Sequence, residues 1–232
     1  KIDKETRMHV LCKDFNIHQN NAQSWLMYED YMYKTEHFEL EDLRGAYMVC
    51  GVDLSSTTDM TAVQCVVMKP NDNTKYIVSK YFIPERKLYD SDDKTAGAKY
   101  EEWAQQGLVH ICEGNEVDTD EVVDWIEYLV IDCGINLFKC GYDVRLSKSF
   151  VNAMITRLDG KSTLEIIPQA SKFLSEPTKL LEADLKARIV NYNENPVNQW
   201  CFSNAQIKLD QFGRIMIIKI QEQARRRIDG AV

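Results

Sequence analysis

The chain has 232 residues, 44% hydrophobic and 28% charged, with a formal net charge of −8. That length supports one sizeable core with an appendage, and the chain holds no internal repeat or low-complexity segment. No apolar run approaches the roughly 20 residues that span a bilayer, and the start KIDKETRMHVL lacks the apolar stretch of a secretory signal, so a soluble protein without a membrane partner is expected.

Seven cysteines, at positions 12, 50, 65, 112, 133, 140 and 201, are odd in number and form no C-x-x-C. Most sit in apolar stretches, as free thiols do in a reducing compartment, and the expected location is intracellular. The four histidines, His9, His18, His37 and His110, are scattered and lack cysteine pairs, so no zinc-ligand spacing is read. Charge is polarised along the chain. Residues 85–132 carry 14 acidic and 4 basic side chains, whereas 171–232 carry 10 basic and 7 acidic, including the run Arg225-Arg226-Arg227. The acidic stretch reads as a solvated helical face, with a partner surface or a shield against misplaced DNA as the other readings.

In chain order, residues 1–45 read as an appendage, with an amphipathic piece from Ala22 to Glu29 and a charged stretch ending in Phe38 to Arg44. Three strands follow, Tyr47 to Leu54, Thr61 to Met68 and Lys75 to Ile83. The Ser55-Ser56-Thr57-Thr58 turn joins the first two and Pro70-Asn71-Asp72-Asn73 the next two, which makes an antiparallel meander. Helices are expected at about Lys94 to Gln106 and Thr119 to Cys133, the latter with Val122, Val123, Ile126, Leu129 and Val130 at helical spacing behind an Asp118 to Asp120 cap. A strand at Leu137 to Val144, a helix at Ser147 to Leu158 and a strand at Leu164 to Pro168 come next. The remainder is a helix at Ser175 to Val190, a short helix near Pro196, strands at Gln206 to Leu209 and Met216 to Ile220, and a closing helix from about Glu222. The fold class is α/β, a mixed sheet in which an antiparallel three-strand meander is followed by parallel strands, flanked by helices.

The most informative feature is an apolar strand that ends on a carboxylate, Tyr47-Met48-Val49-Cys50-Gly51-Val52-Asp53. An unpartnered buried charge costs several kcal/mol or more, so Asp53 must be paired, exposed at the strand end, or bound to a cation. A second strand ends the same way, in Cys140-Gly141-Tyr142-Asp143, and strand ends of open α/β sheets are where reacting groups gather. A third acid, Asp229, follows the arginine run on what reads as a helix. Three carboxylates from three elements can neutralise one or two hard divalent cations, Mg2+ or Mn2+. Each acid alone is more often a turn former or an ion-pair partner. Asp159-Gly160-Lys161-Ser162-Thr163 ends like a phosphate loop, but Ile155 stands where its first glycine belongs and a helix precedes it, so it reads as a turn.

The segment Gly51-Val52-Asp53-Leu54-Ser55-Ser56-Thr57-Thr58-Asp59, the strand Gly141-Tyr142-Asp143 and the closing Arg227-Ile228-Asp229-Gly230 resemble the nuclease domain of tailed-phage terminase large subunits. Asn195-Pro196-Val197-Asn198-Gln199-Trp200 and Ser203-Asn204-Ala205 resemble the stretch between the second and third acids in that family. The resemblance implies a ribonuclease-H-like fold for residues 46–232 and a two-metal endonuclease that cuts concatemeric double-stranded viral DNA during packaging. It makes residues 1–45, with Trp25 and Phe38 to Leu43, the connector following an ATPase domain that this chain lacks, so no ATPase activity is expected. It further implies that Asp53 bridges two Mg2+ or Mn2+ ions, that Asp143 holds one and that Asp229 holds the other. The implied partners are double-stranded DNA, the ATPase domain, the small terminase subunit and the portal.

Around these acids, Asp59 is a candidate outer or additional ligand. Arg225 and Arg226, four and three positions before Asp229, would share its face on a helix and hold its carboxylate ionised or meet a phosphate. Arg145 and Lys148, just past Asp143, are candidate DNA-backbone contacts. Two other readings compete. The Gly51 to Thr58 run is similar to the first phosphate loop of actin-like sugar kinases, although Ser55 stands where their glycine sits. A non-catalytic docking module with structural acids is the third reading.

Overall fold

A computed structural model describes residues 24–56, 59–158, 160–219 and 227–231, with the side chains of 91 and 92 left aside. Strand β1 (Tyr47–Asp53) alternates exposed and buried residues, and Met48, Cys50 and Val52 point into the core. It pairs antiparallel with β2 (Thr61–Met68), which pairs antiparallel with β3 (Lys75–Pro84), forming the expected meander. Strand β5 (Asn136–Tyr142) lies parallel to β1 on its other side, and β6 (Leu164–Ile166) lies parallel to β5. With β4 (Val109–Cys112) at one edge the order is β4-β3-β2-β1-β5-β6, and the two-residue β7 (Val190–Asn191) also pairs with β3.

One face of this sheet is covered by α4 (Thr119–Ile131) and α5 (Lys148–Leu158). Asp118 caps α4 by accepting from the Asp120 amide at 2.9 Å, and Val122, Val123, Ile126 and Leu129 form its buried stripe. The other face is covered over β2, β3 and β4 by α1 (Tyr28–Tyr31), α3 (Tyr100–Gln105), the end of α6 (Ser171–Lys186) and α7 (Pro196–Asn204). Strands β8 (Ala205–Leu209) and β9 (Ile215–Lys219) form a separate hairpin. Residues 24–45 are embedded in both cores. Trp25, Leu26 and Tyr31 pack with Phe202 and Tyr192, whereas Phe38 and Leu43 join the α4 side. Among the described residues no helix is long and apolar enough to cross a membrane.

Several expected elements change. The single helix over Lys94 to Gln106 is two short ones, α2 (Ser91–Thr95) and α3, because Gly97 takes a left-handed φ of 91° and the Ala98 amide turns back to the Asp93 carbonyl at 3.0 Å. Strands β4 and β7 were not expected; each is too short to show a period and exists through its pairing with β3. Helix α6 starts at Ser171 and carries Pro177 inside it, and its end comes at Lys186, where Arg188 at φ 57° turns the chain toward β7. Gly160–Ser162 is a 3₁₀ turn between α5 and β6, the reverse of the strand-to-helix order that a phosphate loop requires. Asp229 lies in a turn closed by the Ala231 amide on the Ile228 carbonyl at 2.7 Å, not on a helix. The helix expected from Glu222, and Arg225 and Arg226 on it, fall outside the described residues.

Candidate active site

The parallel register aligns Val52 with Tyr142, so Asp53 and Asp143 leave adjacent strands side by side at the same sheet edge. The loop after β1 is folded back by Thr61, whose hydroxyl accepts from the Ser55 amide at 2.8 Å and donates to the Ser55 carbonyl at 2.9 Å. The Ser55 hydroxyl in turn accepts from the Asp59 amide at 3.1 Å, which turns Asp59 back toward the site. Asp143 accepts from the Arg145 amide at 3.4 Å, and the Arg145 and Lys148 side chains are exposed just beyond it.

Asp229 is carried by a turn instead of a strand. Ile228 and Ala231 anchor its turn in the core that holds Tyr81, and a Cβ on Gly230 would overlap the Tyr81 hydroxyl, so only glycine permits this approach. That hydroxyl is fixed in place, accepting from Gln64 Nε2 at 2.7 Å and donating to Asn198 Oδ1 at 3.0 Å. The Asn204 side chain holds the Arg227 carbonyl at 3.0 Å. Asp229 is 5% exposed, and its Oδ2 is buried without a hydrogen-bond partner among the described residues. A buried carboxylate oxygen left open is what a metal ligand offers before its cation binds.

The acids share one electrostatic field. Burial, then the negative charges of Asp59 and Asp143, push the Asp53 carboxyl up to about 6. Burial pushes Asp229 up to about 7; Lys219 opposes the shift, and Asp59 and Asp53 add to it. Carboxylates crowded and desolvated in this way gain by meeting a cation. Burial also raises Asp59, but Lys219 and Arg227 outweigh it and hold that carboxyl below its ordinary value. Lys219 Nζ at the end of β9 donates to Asp59 Oδ1 at 2.7 Å, and Arg227 donates to the same oxygen. These contacts neutralise Asp59, whereas Asp53 feels the charge of Asp143, and Asp229 that of Asp53.

Sequence reasoning missed the cationic frame behind the site. Arg227 bridges Asp59 to Asp93, with its Nη2 donating to Asp93 Oδ1 at 2.8 Å, and the two side chains are 5% and 1% exposed. Lys87 Nζ at 3.0 Å and the Tyr100 hydroxyl at 2.9 Å complete the shell on Asp93 Oδ2. Part of the acidic stretch is therefore buried and neutralised rather than solvated. The nearest sequence signal is that Arg227 is followed by a buried Ile228 and by Asp229; nothing local marks Asp93, Lys87 or Lys219.

A sequence profile described as terminase large subunit, endonuclease domain, matches residues 1–232. The chain is 23% identical over 224 residues to Protein YmfN of Escherichia coli (strain K12), covering 91% of this chain and 46% of that protein. It is 27% identical over 187 residues to the large terminase subunit of Enterobacteria phage HK97, covering 78% of this chain and 35% of that protein. The chain thus spans less than half the length of these curated relatives. In three dimensions it is similar to the crystal structure of the HK97 bacteriophage large terminase, with a TM-score of 0.65 and 23% identity over 82% of this chain and 40% of that one. It is also similar to the large terminase nuclease from thermophilic phage G20c with bound magnesium, with a TM-score of 0.54 and 11% identity over 90% of this chain and 93% of that one. The fold is the ribonuclease-H-like mixed sheet of those structures. With its profile matched from end to end, the chain belongs to the terminase large subunit endonuclease-domain family.

Proposed function

We propose that this chain is a metal-dependent endodeoxyribonuclease that cuts concatemeric double-stranded viral DNA during genome packaging, with Asp53, Asp143 and Asp229 as its metal ligands. The observation that carries the reading is Asp229 Oδ2, a buried carboxylate oxygen without a hydrogen-bond partner among the described residues, which feels the charge of Asp53 as Asp53 feels that of Asp143. The donor set is all carboxylate oxygen, which suits Mg2+ or Mn2+, and magnesium is bound in the G20c nuclease.

Asp53, which feels Asp143 and is felt by Asp229, would be shared by two ions, Asp143 would hold one, and Asp229 would hold the other. Ions held there would supply the positive charge that polarises a scissile phosphate, activates a water and stabilises a leaving oxygen. The chain's own residues supply position and charge. The β1 and β5 backbones fix Asp53 and Asp143, and the Arg227 to Asp93 bridge fixes the turn that carries Asp229. Asp59 holds Lys219 at the rim, where its ammonium can meet a phosphate once DNA enters. Arg145 and Lys148 would grip the backbone outside the cup, contacts that carry little sequence information. Residues 1–45 would serve as the connector to an ATPase domain, and the small terminase subunit and the portal would be the assembly partners.

Supercoiled plasmid incubated with Mn2+, Mg2+ or EDTA tests the reading. Cutting is expected with either metal and not in EDTA, and it should be lost in Asp53→Ala and Asp143→Ala at unchanged thermal stability. Equal cutting in EDTA would overturn it. Full activity in both variants would overturn the ligand roles of these acids, and no cutting by the native chain with either metal would favour a docking module instead.

A further inference from the structure

Three strands across the sheet from β1, about 14 Å at the usual interstrand spacing, a second group of donors converges. His110 and Cys112 are two apart on β4 and so share the face covered by α4, where Glu121 in the first helical turn meets them. One ligand atom from each of the three lies within 4.8 Å of the others, the only such trio of His, Cys, Asp or Glu among the described residues. His110 Nε2 is 3.0 Å from Glu121 Oε2, and the His110 ring rests on Phe82 at a centroid distance of 5.6 Å. We propose that His110, Cys112 and Glu121 bind one zinc-class divalent ion, tying the edge strand β4 to α4, apart from the carboxylate site.

The ligand chemistry argues for that class. Thiolate with imidazole and carboxylate is a borderline-soft set that Mg2+ does not select, and thiolate plus carboxylate together balance a dication while the imidazole stays neutral. Zinc bonds of 2.0–2.3 Å put tetrahedral ligand atoms roughly 3.3–3.8 Å apart, so the trio needs only small side-chain rotations to close on an ion. Access is one-sided: Cys112 is fully buried, whereas the His110 and Glu121 side chains are 43% and 34% exposed, which leaves a fourth position for water. The Asp118 amide donates to the Cys112 sulfur, an outer contact that favours the thiolate once a metal is present. Without an ion the Cys112 thiol donates to Glu121, and burial together with that bond pushes it up to about 12. Binding therefore releases the thiol proton to solvent as the Zn–S bond forms. A search for paired cysteines passes over this site because its ligands are a His-x-Cys on a strand and a Glu from a helix.

Cobalt(II) titrated into the metal-stripped full chain tests the proposal, since a thiolate-to-cobalt charge-transfer band reports sulfur ligation and carboxylate sites cannot produce it. The band should saturate at one Co2+ per chain, disappear on adding Zn2+, persist in excess Mg2+, and be unchanged in Asp53→Asn. Cys112→Ser should abolish it. His110→Gln, at a half-exposed position that the fold tolerates, should weaken Co2+ binding by at least about 10- to 100-fold, the loss typical of removing even an outer partner of a ligand. No band, a band that survives Cys112→Ser, or full affinity in His110→Gln would overturn it.

Discussion

The two strand-borne acids and the turn-borne acid of the proposed metal site are positioned by different physics. Asp53 and Asp143 end neighbouring parallel strands, so backbone hydrogen bonds and register fix their separation and their neighbours matter little. Asp229 has no strand beneath it. Its position depends on a glycine pressed against Tyr81 and on an arginine clamped between Asp59 and Asp93. One half of the site is fixed by local geometry and the other by buried charge, which makes the second half easier to disturb from a distance.

The largest expected effects test the strand-borne half. Asp53→Ala or Asp143→Ala should reduce plasmid cutting by about 100- to 1,000-fold or more, the scale of losing one preorganised electrostatic contact to a transition state. The melting temperature should not fall, because removing one of several crowded acids relieves repulsion.

The turn-borne half should behave in the opposite way. Arg227→Met leaves Asp93 buried with Lys87 and Tyr100 as its remaining side-chain partners among the described residues, and should cost about 3–5 kcal/mol in urea unfolding, the usual penalty for breaking a buried pair. Cutting should fall with it, although Arg227 is not a metal ligand. The double variant Arg227→Met with Asp93→Leu should recover much of the stability. A smaller disturbance, Gly230→Ala, forces a methyl against the Tyr81 hydroxyl and should cost about 1–3 kcal/mol. If the comparison is right, that change lowers Mn2+ affinity in calorimetry more than the same substitution at Gly51, whose Cβ would meet nothing closer than 4.0 Å.

The pH response follows from the raised carboxyls. In EDTA the folded chain keeps protons on Asp53 and Asp229 up to about pH 6 and 7, where the unfolded chain has already lost them. Their contribution to stability is complete below the ordinary carboxylate range near pH 4 and is lost as pH rises through 6 and 7. Mn2+ must displace the same protons, so its affinity should climb over that window. Melting curves at several pH values, with and without Mn2+, should diverge as pH rises from about 5 to 8. The smallest effect is expected at the rim, where Arg145→Ala or Lys148→Ala should weaken DNA binding uniformly across sequences and reduce the salt slope by about 1.

The same division explains what the sequence disclosed. The meander was legible because β1, β2 and β3 are long enough to show apolar character and are separated by turn residues such as Asn71, which takes a φ of 61°. The side-by-side arrangement of Asp53 and Asp143 followed from two apolar strands ending alike, and the parallel pairing supplies the missing step. Strand β4 was not legible because four residues at an edge gain strand geometry only from β3. The break at Gly97 was hidden by good helix formers on both sides and is imposed by the need to bury Asp93 against Arg227. Asp229 read as helical because the arginine run before it favours helix. Its turn is set instead by tertiary contacts to Tyr81 and Asn204, which no local pattern encodes.

Crystals of the chain soaked in Mn2+ and measured at the manganese absorption edge test the central claim most directly. The account predicts two anomalous peaks about 3.5–4 Å apart, with Asp53 touching both and with Asp143 and Asp229 each on one. Manganese bound elsewhere, or bound here without Asp229 among its ligands, would contradict it.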